Sequence, residues 1–303
     1  MNLTVNTVVG KQTLTIIIEN AWLHSQAFLH MKGETALKNL LTIAGSDCSG
    51  GAGIQADLKT FAANGAFGMS VIVSVVAENT SRVISIQDID PCVIRDQLDA
   101  VFEDIRVDGV KVGMLSNSVT MKAVAEKLRQ YNPPKPVIDP VMVAKGGCAL
   151  MQEYALDTLI HEIIPIAFIL TPNIPEAETI TGMKITSIDD MKQAAVSIRK
   201  MGAKNVLIKG GHLCGDAVDI LFDGKHFHSY WKKRIQTQNT HGTGCTFSSA
   251  IAVNLANGME ITDAVCSAKD YISEVIEHAL PIGKGHGPTN HFYRLYLNGG
   301  FEV

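Results

Sequence analysis

Between residues 40 and 212 the chain alternates. Short β-branched or aliphatic runs at 40–44, 70–77, 109–112, 136–138, 168–170 and 205–208 are separated by segments whose apolar residues recur at three and four, among them 94–102, 155–164 and 191–201. Strand and helix in turn require crossover connections, and these are right-handed. The spacing therefore predicts an α/β fold, a single doubly wound, mostly parallel sheet with helices on both faces. A hairpin is expected at 217–222 and 226–230 about the turn Asp223-Gly224, then two long helices near 243–257 and 262–280. No repeat, low-complexity tract or linker interrupts this stretch, so 38–303 reads as one domain. In such a sheet ligands bind beyond the carboxyl ends of the strands.

Composition narrows the partner. A net charge of −4 with no long block of lysine and arginine leaves no electrostatic footprint for nucleic acid or an anionic membrane, and a small molecule is expected instead. Cysteines 48, 92, 148, 214, 245 and 266 are scattered without a C-x-x-C pair, which suits reduced thiols in a cytoplasm. Residues 1–37 stand apart as an appendage without an assigned role. Their apolar stretches are broken by Glu19, Asn20 and His24 before the ~18 residues of a membrane span. No small-residue cleavage site follows a basic start, and Met31 is a more natural beginning.

Two glycine loops compete for a phosphate. The first, GSDCSGGAG at 45–53, lies between a strand-like and a helix-like segment but matches neither GxGxxG nor GxxxxGK[ST], because Lys59 falls inside the following helix. A tight turn explains it equally well. The second, THGTGCTF at 240–247, opens an apolar helix whose unpaired N–H groups would converge on an anion. Asp139 and Glu176 each follow a strand and reach the same sheet edge, where carboxylate oxygens suit Mg²⁺, although an acid after a strand is as a rule a helix cap. Lys209 ends another strand there, as a point charge for phosphate or as a solvated surface lysine.

These segments carry a resemblance. Gly45-Ser46-Asp47 with the stretch 49–60, Lys111-Val112-Gly113-Met114-Leu115, Asp139-Pro140-Val141-Met142, Thr171-Pro172-Asn173, Lys209-Gly210-Gly211-His212 and His241-Gly242-Thr243-Gly244-Cys245-Thr246 closely resemble, in order and over about 40–295, the hydroxymethylpyrimidine/phosphomethylpyrimidine kinases of thiamine biosynthesis, in the ribokinase-like superfamily. The resemblance implies ATP- and Mg²⁺-dependent phosphorylation of 4-amino-5-hydroxymethyl-2-methylpyrimidine and then of its monophosphate, by a cytoplasmic homodimer. It implies that Gly45, Asp57, Val76 and Met114 border the pyrimidine. Gly242, Thr243, Gly244 and Cys245 would surround the transferring phosphoryl, with Cys245 as the base, its thiolate favoured by the helix dipole. Lys209, Thr243 and Asn173 would hold the nucleotide, with the metal at Asp139 and Glu176. The 45–53 loop becomes part of the substrate floor.

One position departs from the pattern. Where the family commonly has Gln-Asn-Thr, this chain has Glu78-Asn79-Thr80. An ionised glutamate only accepts hydrogen bonds, from an exocyclic amino group and a protonated ring nitrogen or from a pyridinium N–H. Pyridoxal kinase is therefore the rival reading. A binding protein without catalysis would be expected to lose the anion hole or the metal-side acids. A dinucleotide oxidoreductase would need an acid at the end of the second strand of a GxGxxG unit.

Overall fold

The structure is a computed structural model and describes residues 3–9, 12–18, 37–144, 146–211 and 215–301. Glu19, Asn20, His24, Met31, His212 and Cys214 lie outside the described residues. The chain divides into two compact units, Met1–Ala36 and Leu37–Val303. In the first, β1 (Leu3–Val9) and β2 (Gln12–Ile18) pair antiparallel with Leu3 opposite Ile18, a hairpin that the sequence reading did not anticipate.

The second unit is built on nine strands: β3 (Lys38–Asp47), β4 (Ala66–Glu78), β5 (Val83–Asp88), β6 (Gly109–Val112), β7 (Val137–Ile138), β8 (Ile169–Leu170), β9 (Asn205–Ile208), β10 (Ala217–Phe222) and β11 (Phe227–Lys232). Their order in space is β11-β10-β9-β8-β7-β6-β3-β4-β5. Strands β9, β8, β7, β6, β3 and β4 across the middle are parallel, while β5 at one edge and the β10–β11 hairpin at the other run antiparallel. The mostly parallel sheet and the hairpin follow the sequence expectation. Strand order reverses between β3 and β6, a topological switch point with a crevice at its carboxyl end.

Period-two alternation sorts the strand residues between two cores. Leu41, Ile138, Leu170, Val206 and Ile208 pack under the helices α2 (Pro91–Asp104), α3 (Ser118–Tyr131), α4 (Ile174–Thr181) and α5 (Ile188–Lys200). Their neighbours Leu40, Val137, Ile169 and Leu207 pack on the other face under α1 (Gly53–Ala63), α6 (Thr243–Ala256) and α7 (Ile261–Glu277). Each fully buried aliphatic side chain contributes about 1.5–3 kcal/mol. A short α8 (Tyr293–Asn298) ends the described chain. The segment 155–164, expected as one helix, is instead a chain of short turns: 3₁₀ at Glu153–Ala155, α at Leu156–Thr158, π at Leu159–Ile163 and 3₁₀ again at Ile164–Ile166. Pro165 has no N–H to continue an α-helical ladder.

Candidate active site

One cavity of about 890 Å³ opens at the switch point. Each strand end delivers a residue to it: Gly45 from β3, Val76 and Glu78 from β4, Met114 after β6, Asp139 after β7, Asn173 and Glu176 after β8, and Lys209 after β9. Gly242, Thr243, Gly244 and Cys245 line it from the start of α6. Register slips between Ala44 and Gly45, and a Cβ at residue 45 would stand 3.3 Å from the Met114 sulfur and 3.7 Å from Ser74 Cβ. Glycine there lets Met114 close on the floor.

In the first glycine loop the four amides from Ser49 to Ala52 are all taken by Asp47. Asp47, almost fully buried at the end of β3, accepts from Ser49 N–H at 2.7 Å, Gly51 N–H at 2.9 Å and Ala52 N–H at 2.7 Å, while its carbonyl takes Gly50 N–H at 3.0 Å. His241 from the second loop joins the same carboxylate through Nε2 at 2.8 Å. Burial works against this charge, but the bonds from His241, Ser49 and Ala52 hold the carboxyl well below the usual range. Asp47, Glu78 and His241 each present one atom within 4.8 Å of the others. They make a poor metal trio, because both Asp47 oxygens already hold amides and the imidazole Nε2 faces Asp47.

The second loop is the converse. Gly242, at φ +75°, turns the chain into α6 without a side-chain cap, and the N–H groups of Gly242, Gly244 and Cys245 meet no acceptor among the described residues. A Cβ at residue 244 would lie 3.3 Å from Asp139 Oδ2 and 3.4 Å from Lys209 Nζ, so the free amides, the acid and the cation share one corner. Lys209 Nζ bonds Asp139 Oδ1 at 2.6 Å, and the Thr171 hydroxyl donates to the same oxygen at 3.0 Å. Burial opposes the lysine charge, but the Asp139 and Glu176 carboxylates keep its pKa above the usual value. Asn173 and Glu176 form a capping box on α4, with Glu176 Oε2 accepting Asn173 N–H at 2.8 Å and Asn173 Oδ1 accepting Glu176 N–H at 2.9 Å. Burial pushes Glu176 up to about 7, the Lys209 charge opposing and Asp139 adding. The cap reading and the cavity reading thus hold together. Thr243 directs its hydroxyl to the Thr240 carbonyl at 2.8 Å.

Two expectations are corrected. Asp57 does not reach the cavity: it is fully buried between α1 and the sheet, where Lys111 Nζ bonds both its oxygens at 2.8 Å, Thr42 donates at 2.6 Å and Ser249 at 2.7 Å. With three donors making four hydrogen bonds to its two oxygens it ties α1, β3, β6 and α6 together and cannot also take a substrate hydroxyl. Cys245 sits at the helix N-terminus as expected, but burial pushes its thiol up to about 11, Lys111 opposing and the Asp57 and Asp139 carboxylates adding. Desolvation outweighs the helix dipole, so at neutral pH the group is a thiol.

Sequence reasoning missed Asp47, His241 and Lys111 as organising residues. Lys111 was legible, since a lysine inside the buried strand Gly109–Val112 requires an acid nearby. Glu78 lines the cavity, and no donor meets its carboxyl among the described residues; Cys48 donates to its backbone carbonyl at 3.1 Å. Burial and then the Asp47 charge push Glu78 up to about 7, with His241 opposing.

Comparison with known proteins places this geometry. The family described as phosphomethylpyrimidine kinase matches residues 47–290. The chain is 52% identical over 254 residues to the thiamine biosynthesis bifunctional protein of Geobacter sulfurreducens, covering 84% of this chain but only 52% of that longer protein. It is 49% identical over 254 residues to a hydroxymethylpyrimidine/phosphomethylpyrimidine kinase of Bacillus subtilis, covering 83% of this chain and 94% of the relative. Among solved structures, an ADP complex of Bacillus subtilis pyridoxal kinase superposes with a TM-score of 0.80 at 39% identity, over 86% of this chain and 100% of that one. With the ribokinase-like architecture shared and the family match spanning most of its length, the chain belongs to the phosphomethylpyrimidine kinase family and is a kinase of thiamine biosynthesis.

Proposed function

We propose that the cavity at the β3–β6 switch point is where ATP meets 4-amino-5-hydroxymethyl-2-methylpyrimidine and, in a second turnover, its monophosphate. The observation that carries this reading is the corner where three unpartnered amides of α6 converge with Lys209 and Asp139. A transferring phosphoryl spreads negative charge over its oxygens, and preorganised N–H groups with a cation beside them stabilise that charge without reorganising. Gly45, Val76 and Met114 enclose the pyrimidine ring and Glu78 faces its polar edge. Asn173 and Thr243 line the nucleotide side with Lys209. The acceptor hydroxyl lies beside Cys245, which takes its proton once ionised.

Asp139 and Glu176 offer hard oxygens on one wall, a donor set that fits Mg²⁺ held directly or through waters. When bound, the ion neutralises phosphate charge. The same reading takes 38–303 as the kinase domain, 1–37 as an appendage, and the enzyme as a cytoplasmic homodimer. No described helix is long and apolar enough to cross a membrane.

Pyridoxal phosphorylation is the second reading. Its support is the pyridoxal kinase fold match together with an acid at Glu78 that suits a pyridinium N–H. An ATP-consumption assay with both substrates separates the two. The pyrimidine is expected to exceed pyridoxal at least ~10-fold in kcat/KM, about 1.4 kcal/mol of transition-state discrimination. A preference for pyridoxal overturns the pyrimidine assignment.

A further inference from the structure

Glu78 differs from the other acids of the cavity. Asp139 is paired with Lys209 and Glu176 caps α4, whereas the Glu78 carboxyl has no donor among the described residues and stands within 4.8 Å of an Asp47 oxygen. Asp47 is locked as an anion by three amides and His241. It belongs to β3, the strand hydrogen-bonded to β4, so the two acids cannot drift apart. The groups around Glu78 are few. β3 supplies Asp47, with the Cys48 thiol just beyond it on the Glu78 carbonyl. The loop before α6 supplies His241, whose Nε2 faces Asp47. β5 sets uncharged Val83 opposite Glu78, and His286 lines the same cavity with its Nδ1 on the Gln238 carbonyl. A second anion beside a fixed one is disfavoured, and protonation relieves it.

We infer that Glu78 meets the pyrimidine as an undissociated carboxylic acid, its O–H donating to a ring nitrogen and its C=O accepting from the adjacent amino group. The inference rests on the pyrimidine reading and deepens it. It also revises the sequence expectation of an acceptor-only glutamate: a neutral acid reproduces the donor and acceptor pattern of the glutamine common in this family. Burial and the Asp47 charge, which push this carboxyl up to about 7, act in the same direction as the geometry. A neutral acid selects a ring edge that sets an acceptor nitrogen beside an amino donor, as a 4-aminopyrimidine does. A pyridine nitrogen flanked by carbon offers half of that pattern. The proton count is definite, because one proton lies between carboxyl and ring in the complex. Above neutrality the free enzyme has lost it, so binding must take one up from solvent.

Calorimetry of the pyrimidine with the full chain, without ATP, tests this from about pH 6 to 8.5 in buffers of different ionisation enthalpy. For the natural chain, affinity is expected to fall about tenfold between about pH 7 and 8.5, with close to one proton taken up near pH 8. For Glu78→Gln the slope should flatten to less than about twofold and the uptake disappear. A slope retained in Glu78→Gln means that the ligand or another group titrates, and overturns the inference. Binding by the natural chain without proton uptake overturns it while leaving the pyrimidine assignment intact. Absence of pyrimidine binding at every pH sinks both.

Discussion

Loops 45–53 and 240–246 are alike in composition and opposite in use. Both are glycine-rich, both lead into a helix, and both border the same cavity. In the first, the four consecutive amides from Ser49 to Ala52 end on Asp47, so the loop carries its own anion. In the second, three amides have no protein acceptor among the described residues. The difference teaches that glycines at a helix start indicate backbone freedom and close approach only. An anion site requires amides left unpaired, and one aspartate two residues into a loop is enough to remove them.

The comparison breaks most readily at Lys209. Replacing it by methionine should lower kcat about a thousandfold, near 4 kcal/mol, in both half-reactions, since in the proposed site the cation serves the phosphoryl and not the acceptor. A loss under about tenfold would remove Lys209 from the transfer site. Next in size is Cys245→Ala, which keeps the loop amide and removes only the thiol. Monophosphate formation should fall a hundredfold or more, about 2.7 kcal/mol, because an alcohol must surrender its proton. Diphosphate formation from supplied monophosphate should fall less than about tenfold, as a phosphate monoester with a second pKa near ~6 is already ionised. Equal losses would make Cys245 a shaping residue. The thiol titrates up near about 11, so the natural enzyme's first half-reaction should also quicken as pH rises toward about 9, as the ionised fraction grows.

The first loop is tested by Asp47→Asn, measured as urea stability. One acceptor must then serve amides that had two, and the loss should be about 2 kcal/mol. Asp47 titrates below its unfolded value, so its contribution is present above about pH 4 and lost as pH falls through the lower folded value. The gap between natural and variant chains should therefore close only in acid, and a gap that persists there would assign the effect to packing. Smallest is Lys59→Gln, which removes a 2.7 Å bond to the Gly50 carbonyl on the outside of the loop and should change stability by less than about 1 kcal/mol.

The parallel sheet was legible because its strands are buried on both faces and read as aliphatic runs, and the β10–β11 hairpin because Asp223-Gly224 marks its turn. β5 was not, since it is a short edge strand with four of its six residues exposed, and its apolar residues mark no buried face. The second loop was legible because amide availability there follows from position at a helix start. The first was ambiguous for the opposite reason: whether its amides are free depends on how Asp47 folds back, which no spacing reports. Asp57 was misassigned because one turn into a helix leaves its facing direction open, and only Lys111 across the core decides it.

Residue 51 passes so close beneath residue 242 that a Cβ on the latter would stand 1.8 Å from the Gly51 carbonyl oxygen, and the His241–Asp47 contact clamps the same crossing. In mechanical terms the two glycine loops, the proposed floor under the acceptor and the proposed cradle for the phosphoryl, form one stiff joint. Its consequence is thermal: heating cannot loosen one half of the site while the other holds its place, so turnover should vanish in step with cooperative melting of the sheet and not in advance of it.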